Sequence, residues 1–199
     1  MRRLIRRLDL AAVYRKPRTS VPHPDHAEEF PYLLRDMSID RANQVWCADI
    51  TYIPMRRWFL YLVAVMDWAS RKMLSRRVPN TMDVDFCIAA EALARFGRPE
   101  ISNTDQGCLF TSPRFVEVAQ RAGALVSMDG RGRWLDNVIE RLWRSLRVQC
   151  VCLRAFQTAS DLRSELTGWV GRYNARRPHS ARAGRTPDEG DVRYAVCSR

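Results

Sequence analysis

"QVWCADITYI", residues 44–53, is the stretch on which the fold turns. Val45, Trp46, Ala48, Ile50, Tyr52 and Ile53 suit a buried β-strand, whereas Asp49 in their midst is of a type that strands accept poorly. Successive side chains of a strand alternate between faces, which puts Trp46, Ala48, Ile50 and Tyr52 on one side and Val45, Cys47, Asp49, Thr51 and Ile53 on the other. Two further apolar runs follow, "WFLYLVAVMD" at 58–67 and "KMLSRRV" at 72–78. The connections "PMRR" and "WASR" are too short for a crossover, so the three strands are expected to pair antiparallel as a meander.

Beyond the meander the periodicity changes. A helix is expected over about 83–96, stopped by Gly97 with Pro99 just past it. A short strand at 101–104, a helix over about 112–122 ended by Gly123, and a strand at 124–127 come next. Helices over about 137–148 and 160–174 close the series. Three antiparallel strands followed by alternating helix and strand describe an α/β fold, a mixed sheet flanked by helices. Residues 44–190 carry this pattern and 191–199 form a tail. Ahead of it, residues 18–43, with Pro22, Pro24 and Pro31, read as a linker. Residues 1–17 read as the end of a basic amphipathic helix with Leu4, Ile5, Leu8 and Ala12 on one stripe, the remnant of a longer amino-terminal region.

Composition narrows the function classes. A chain of 199 residues with 46% hydrophobic content supports one domain with a sizeable core and excludes a disordered or fibrous protein. The net charge is +11, and Lys16 and Lys72 are the only lysines among 33 basic residues. An excess carried by guanidinium groups points to a polyanion, because the planar fork grips phosphate oxygens in pairs. The six cysteines include no C-x-x-C pair and the three histidines are not spaced with them, which argues against structural zinc and for reduced thiols. Asp9 and the arginines at 2, 3, 6 and 7 interrupt any signal-peptide core, and no run approaches the roughly 20 apolar residues of a membrane span. The expected location is the cytoplasm, at the nucleoid, with no membrane partner.

Three carboxylates occupy distinctive places. Asp49 lies mid-strand; Asp105, in "NTDQG", follows the strand at 101–104. Glu140 begins the helix "DNVIERLWRSLR", where Ile139, Leu142, Trp143 and Leu146 form the inward stripe and Glu140, Arg144 and Arg147 share another face. Taken singly, each acid has an ordinary reading: an edge-strand residue, a turn former, a helix surface residue. Their joint order is what is unusual.

The segments "VWCADITYIP", "FLYLVAVMDWASRK", "NTDQG", "SMDGRGRWLDN", "IERLWRSLR" and "YNARRPHSARAGRTPDE" together resemble the catalytic subunit of bacterial insertion-sequence transposases of the IS-three type, whose core is similar to retroviral integrase. The resemblance covers most of residues 1–190 and implies a ribonuclease-H-like fold with a DDE triad at Asp49, Asp105 and Glu140. It implies metal-dependent DNA cleavage and strand transfer, with Mg²⁺ (or Mn²⁺ in its place) held by the same three acids. The implied partners are DNA at the transposon ends and target, further copies of the chain, and a DNA-binding subunit encoded in an upstream frame. Arg131 and Arg133 in "DGRGRW", Arg144 and Arg147 on the helix, and Arg176, Arg177 and His179 in "YNARRPHS" are the expected DNA contacts. Trp134 is a candidate for stacking on bases, and Trp143 is expected in the core.

Several positions depart from the family pattern. The 34 residues between Asp105 and Glu140 are one fewer than the pattern has, and a one-residue deletion near a helix start rotates the flanking segments by about 100°. Leu109 replaces a commonly polar residue and Gln149 a usual Glu. These departures raise a second expectation, a catalytically inactive DNA-binding remnant. A host nuclease of ribonuclease-H type is the third, opposed by the "RRPHSARAGRTPDE" tail.

Overall fold

The strand containing Asp49 lies in the middle of a five-stranded sheet. The computed structural model describes residues 30–56, 58–79, 85–105, 113–129, 138–154 and 156–191. Strands β1 (Val45–Pro54), β2 (Phe59–Asp67) and β3 (Met73–Arg77) form the expected antiparallel meander. Helix α1 (Asp85–Phe96) leads to β4 (Ile101–Asp105), and α2 (Pro113–Arg121) leads to β5 (Leu125–Asp129). Both β4 and β5 run parallel to β1, giving the order β3-β2-β1-β4-β5. Helices α3 (Val138–Leu146), α4 (Ala159–Arg176) and the short α5 (Pro187–Gly190) follow. Among the described residues, no helix is long and apolar enough to cross a membrane.

The sheet is covered on both faces, as a strand such as β1 with apolar side chains on each side requires. Cys47 and Ile53 of β1, with Leu62, Ala64 and Met66 of β2, pack beneath α3 and α4. Trp46 and Ala48, with Val63, Val65 and Leu74, pack beneath α1 and α2 through Ile88, Ala92 and Phe115. Gly97 and Gly123 end α1 and α2 at φ of +80° and +78°, left-handed values that a side chain would resist. Thr158 and Asp161 exchange side-chain and backbone bonds to cap α4.

The helix expected over 137–148 differs at its end. α-Helical geometry stops at Leu146, and Arg147–Val151 forms a π-helical turn closed by Cys152 N donating to Arg147 O at 2.8 Å. Cys150, four residues past Leu146, would stay on the buried stripe of a continued α-helix, and the wider turn brings Val151 onto that side as well. Residues 30–43, inside the expected linker, are irregular yet lie on the sheet: Leu34 is buried with Val45 and Ile101, and Leu33 N donates to Ser127 Oγ at 3.1 Å.

The carboxyl-terminal motif is anchored to the β2–β3 turn. Asp67 accepts from Ser70 N, Ser70 Oγ and Asn43 N within 2.8 Å, which fixes the turn. Lys72, buried beside it, pairs through Nζ with Asp188 at 3.0 Å and Asp191 at 3.2 Å. Asn174 of α4 covers the outer edge of β3 by accepting from Met73 N and donating to Met73 O.

Candidate active site

The parallel register of β1 and β4 decides where two of the acids stand. Ala48 is level with Thr104, the last pair of the parallel ladder, so the next residues of each strand are Asp49 and Asp105. Neighbouring strands lie about 4.8 Å apart, and β4 ends here while β1 runs on to Pro54. The two carboxylates therefore share one face at the carboxyl end of β4, the usual place for a site in an open α/β sheet. Because β1 is central and Asp49 is only 7% exposed, the edge-strand explanation of this residue does not apply.

Helix α3 supplies the third acid. Burial of side chains such as Ile139 and Leu142 contributes about 1.5–3 kcal/mol each, which fixes the rotation of a nine-residue helix on the sheet. Trp143 is thereby turned inward, and its Nε1 donates to Asp49 Oδ2 at 2.7 Å. Four residues on, Arg147 Nη2 in the π-turn donates to Thr51 Oγ1 at 3.0 Å, two residues further along β1, so the helix and its π-turn run alongside the strand. Glu140 sits one turn before Trp143, exposed, and Asp105 is half-buried.

The electrostatics tie the three together. The Asp49 carboxyl is pushed from its ordinary value of 3.8 up to about 7, first by burial and further by the charges of Asp105 and Glu140. Hydrogen bonds from Trp143 and from Ile50 N, the latter at 2.8 Å to Oδ1, oppose that rise. Among the described residues, no three His, Cys, Asp or Glu side chains form a group closed enough to hold a metal ion. In donor chemistry the acids nevertheless fit a hard divalent cation: all are carboxylate oxygens, and Asp49 lies buried within the influence of two like charges that a cation would offset.

The expected DNA contacts divide into three sets. Arg144 is exposed on α3 and Arg147 is exposed while held to Thr51, so both stand beside the acids. Arg176, exposed at the end of α4, and Arg177 line an open groove of about 500 Å³ with Gln149 and Tyr173. Arg177 Nη1 donates to Gln149 Oε1 at 2.8 Å and its guanidinium lies 5.6 Å from the Tyr173 ring centroid, so this arginine joins α4 to the π-turn. Arg131, Arg133 and Trp134 lie outside the described residues, as does Leu109. His179 is half-buried: its ring meets Tyr173 edge-on at 5.3 Å and its Nε2 atom is buried. The contact that sequence reading missed is Trp143 to Asp49. Its position in the apolar stripe marks Trp143 as inward-facing without saying which strand residue its N–H meets.

Two family profiles, both described as integrase core domain, match residues 39–133 and 124–187 and together run from before β1 to α5. The chain belongs to the integrase core family. This integrase core is 29% identical over 153 residues to the transposase of insertion sequence element IS904 from Lactococcus lactis, covering 74% of the chain and 60% of that relative. It is 28% identical over 196 residues to a putative transposase of insertion sequence element IS150 from Escherichia coli, covering 95% of the chain and 69% of that relative. The chain thus spans about six-tenths to seven-tenths of the length of these relatives. Among solved structures, the HTLV-2 integrase catalytic core in complex with magnesium superposes with a TM-score of 0.53 at 20% identity, over 75% of the chain and 97% of that structure. The expected ribonuclease-H-like fold is the fold of this chain.

Proposed function

We propose that this integrase core is the catalytic part of an insertion-sequence transposase, which cuts DNA and joins the freed 3′ end to a target. Asp49, Asp105 and Glu140 would hold divalent ions, Mg²⁺ or Mn²⁺ in its place. The observation that carries the reading is the side-by-side register of Asp49 and Asp105 beneath the helix that bears Glu140. Bound ions would stabilise the attacking and leaving oxygens of an in-line displacement at phosphorus. Trp143 holds one oxygen of Asp49 and the Ile50 N–H holds the other, so the carboxylate is oriented before any ligand arrives. Arg144 and Arg147 would grip the backbone of the cut strand, Arg131 and Arg133 the strand beside it, and Arg176 and Arg177 a more distant phosphate.

In this reading residues 44–190 are the catalytic core, and the basic stretch 1–17 belongs to a DNA-binding region reached through 18–43. The active species is a multimer on DNA at the nucleoid, with an upstream-frame subunit reading the terminal repeats. The test is joining of end oligonucleotides to target DNA by the full chain in Mg²⁺, against Asp49→Asn, Asp105→Asn and Glu140→Gln. Joining by the wild-type chain that each substitution abolishes is the expected result. Salt-sensitive binding with no joining, unaltered by Asp49→Asn, would instead identify an inactive DNA-binding remnant.

A further inference from the structure

At the edge of the sheet away from β4 and β5, four arginines converge on a groove that the acidic centre does not use. Strand β3 is the floor, and its alternation sends consecutive residues to opposite walls. Arg76 reaches toward α4, where Nη2 donates to Thr167 Oγ1 at 2.9 Å, and Arg77 reaches toward α1, where Nη2 lies 3.4 Å from Glu91. Each wall adds one more: Arg95 stands one turn after Glu91 on α1, and Arg163 one turn before Thr167 on α4. The groove is open and measures about 600 Å³.

Its charge is far from balanced. Among the described residues Glu91 is the only acid lining the groove, and Arg77 and Arg95 share it at 3.4 and 3.8 Å, which are loose contacts for charged partners. Arg76 is half-buried and meets no carboxylate within ion-pair distance among the described residues, and burial makes its charged form less favourable. Arg163 donates to Val78 O, a neutral carbonyl at the strand edge. Four guanidinium groups against one carboxylate form a concave cationic surface. A second copy of a chain whose net charge is +11 is a poor electrostatic match for it.

We infer that this groove binds the phosphate backbone of duplex DNA lying outside the segment held at the acidic centre. The inference rests on the reading of the chain as a DNA-acting integrase core, and it adds a site to it. β3 lies two strand spacings, about 10 Å, from β1. α4 packs on one face of the sheet and α1 on the other, so the groove opens sideways, away from the acids. DNA running there would be recognised through phosphates alone, with no base reading.

The experiment is fluorescence anisotropy of the full chain on an arbitrary labelled duplex across a salt series. Each phosphate contact contributes about 0.9 to the slope of log affinity against log salt, so Arg95→Ala with Arg163→Ala should flatten the slope by about 2. Binding near 0.1 M salt should fall by on the order of tenfold or more. Lysine at both positions keeps the charge and should keep the slope, which separates lost charge from lost structure. Glu91→Gln frees Arg77 and Arg95 and should tighten binding. An unchanged slope in the double alanine variant, or weaker binding by Glu91→Gln, overturns the inference. So does loss of self-association in sedimentation with DNA affinity intact, which would give the groove to a second copy. Wild-type joining alongside unchanged slopes would sink the groove and leave the catalytic reading standing; flattened slopes with no joining would do the reverse.

Discussion

Replacing Asp49 by asparagine should make the metal-free protein more stable at alkaline pH, although it removes the proposed catalytic acid. The folded chain holds the Asp49 proton to about pH 7, against 3.8 for the ordinary carboxyl. A group whose pKa is raised by folding contributes stability below its unfolded pKa and loses it as pH climbs through the folded one. The window is therefore about pH 4 to 7, and above it the ionised Asp49 opposes folding. Three pH units at 1.36 kcal/mol each correspond to about 4 kcal/mol. Asparagine escapes that term, but it offers one oxygen where Trp143 and Ile50 N each use one, and a misplaced buried donor costs about 1–3 kcal/mol. The net gain at pH 8.5 is about 1–3 kcal/mol, worth roughly 2–4 °C per kcal/mol in a domain of this size. At pH 5 the wild-type carboxyl is protonated and the advantage vanishes or reverses. Thermal melts in EDTA at both pH values measure this directly. A variant destabilised equally at pH 5 and pH 8.5 would refute the reasoning, because it would mean that the ionised carboxylate is well solvated or compensated where it lies. Added Mg²⁺ should then raise the melting temperature of the wild-type chain and leave Asp49→Asn unmoved.

Trp143→Phe keeps the apolar bulk of the stripe and removes the N–H that favours ionised Asp49, so the acid limb of metal-dependent joining should move to higher pH. A pH–rate profile identical to wild type would show that the indole only fills space. Lys72→Ala removes the buried ammonium that pairs with Asp188 and with the buried Asp191, and a loss of about 3–5 kcal/mol is expected in urea unfolding. A loss below about 1 kcal/mol would mean that water reaches the pair.

Much of this architecture could be read from local pattern. The alternation at 45–53, the apolar runs at 58–67 and 72–78, and the stops at Gly97 and Gly123 all report which side of an element is buried and where the chain must turn, and every strand and helix expected between 45 and 174 is present, while the helix expected at 1–17 lies outside the described residues. A carboxylate set among apolar strand residues drew attention to Asp49 for the same reason: its cost is local and visible. The end of α3 was not legible, since the π-turn at 147–151 sets Val151 beside Cys150 against a core assembled from α4 and the sheet.

The sequence alone determined the elements, the buried stripes and the three acids, because hydrophobic period and backbone preference act within a few residues of each other. Only the tertiary structure decided what lies opposite what. β4 adds to β1 in the register that sets Asp105 beside Asp49, and Trp143 lands on that aspartate. Arg177 and His179 turn toward Tyr173, Lys72 finds Asp188 and Asp191, and the two walls beside β3 gather four arginines from three elements. A periodic pattern says that a side chain faces inward, but its partner is chosen by how whole elements pack, and packing is a property of surfaces that the chain brings together only when it folds.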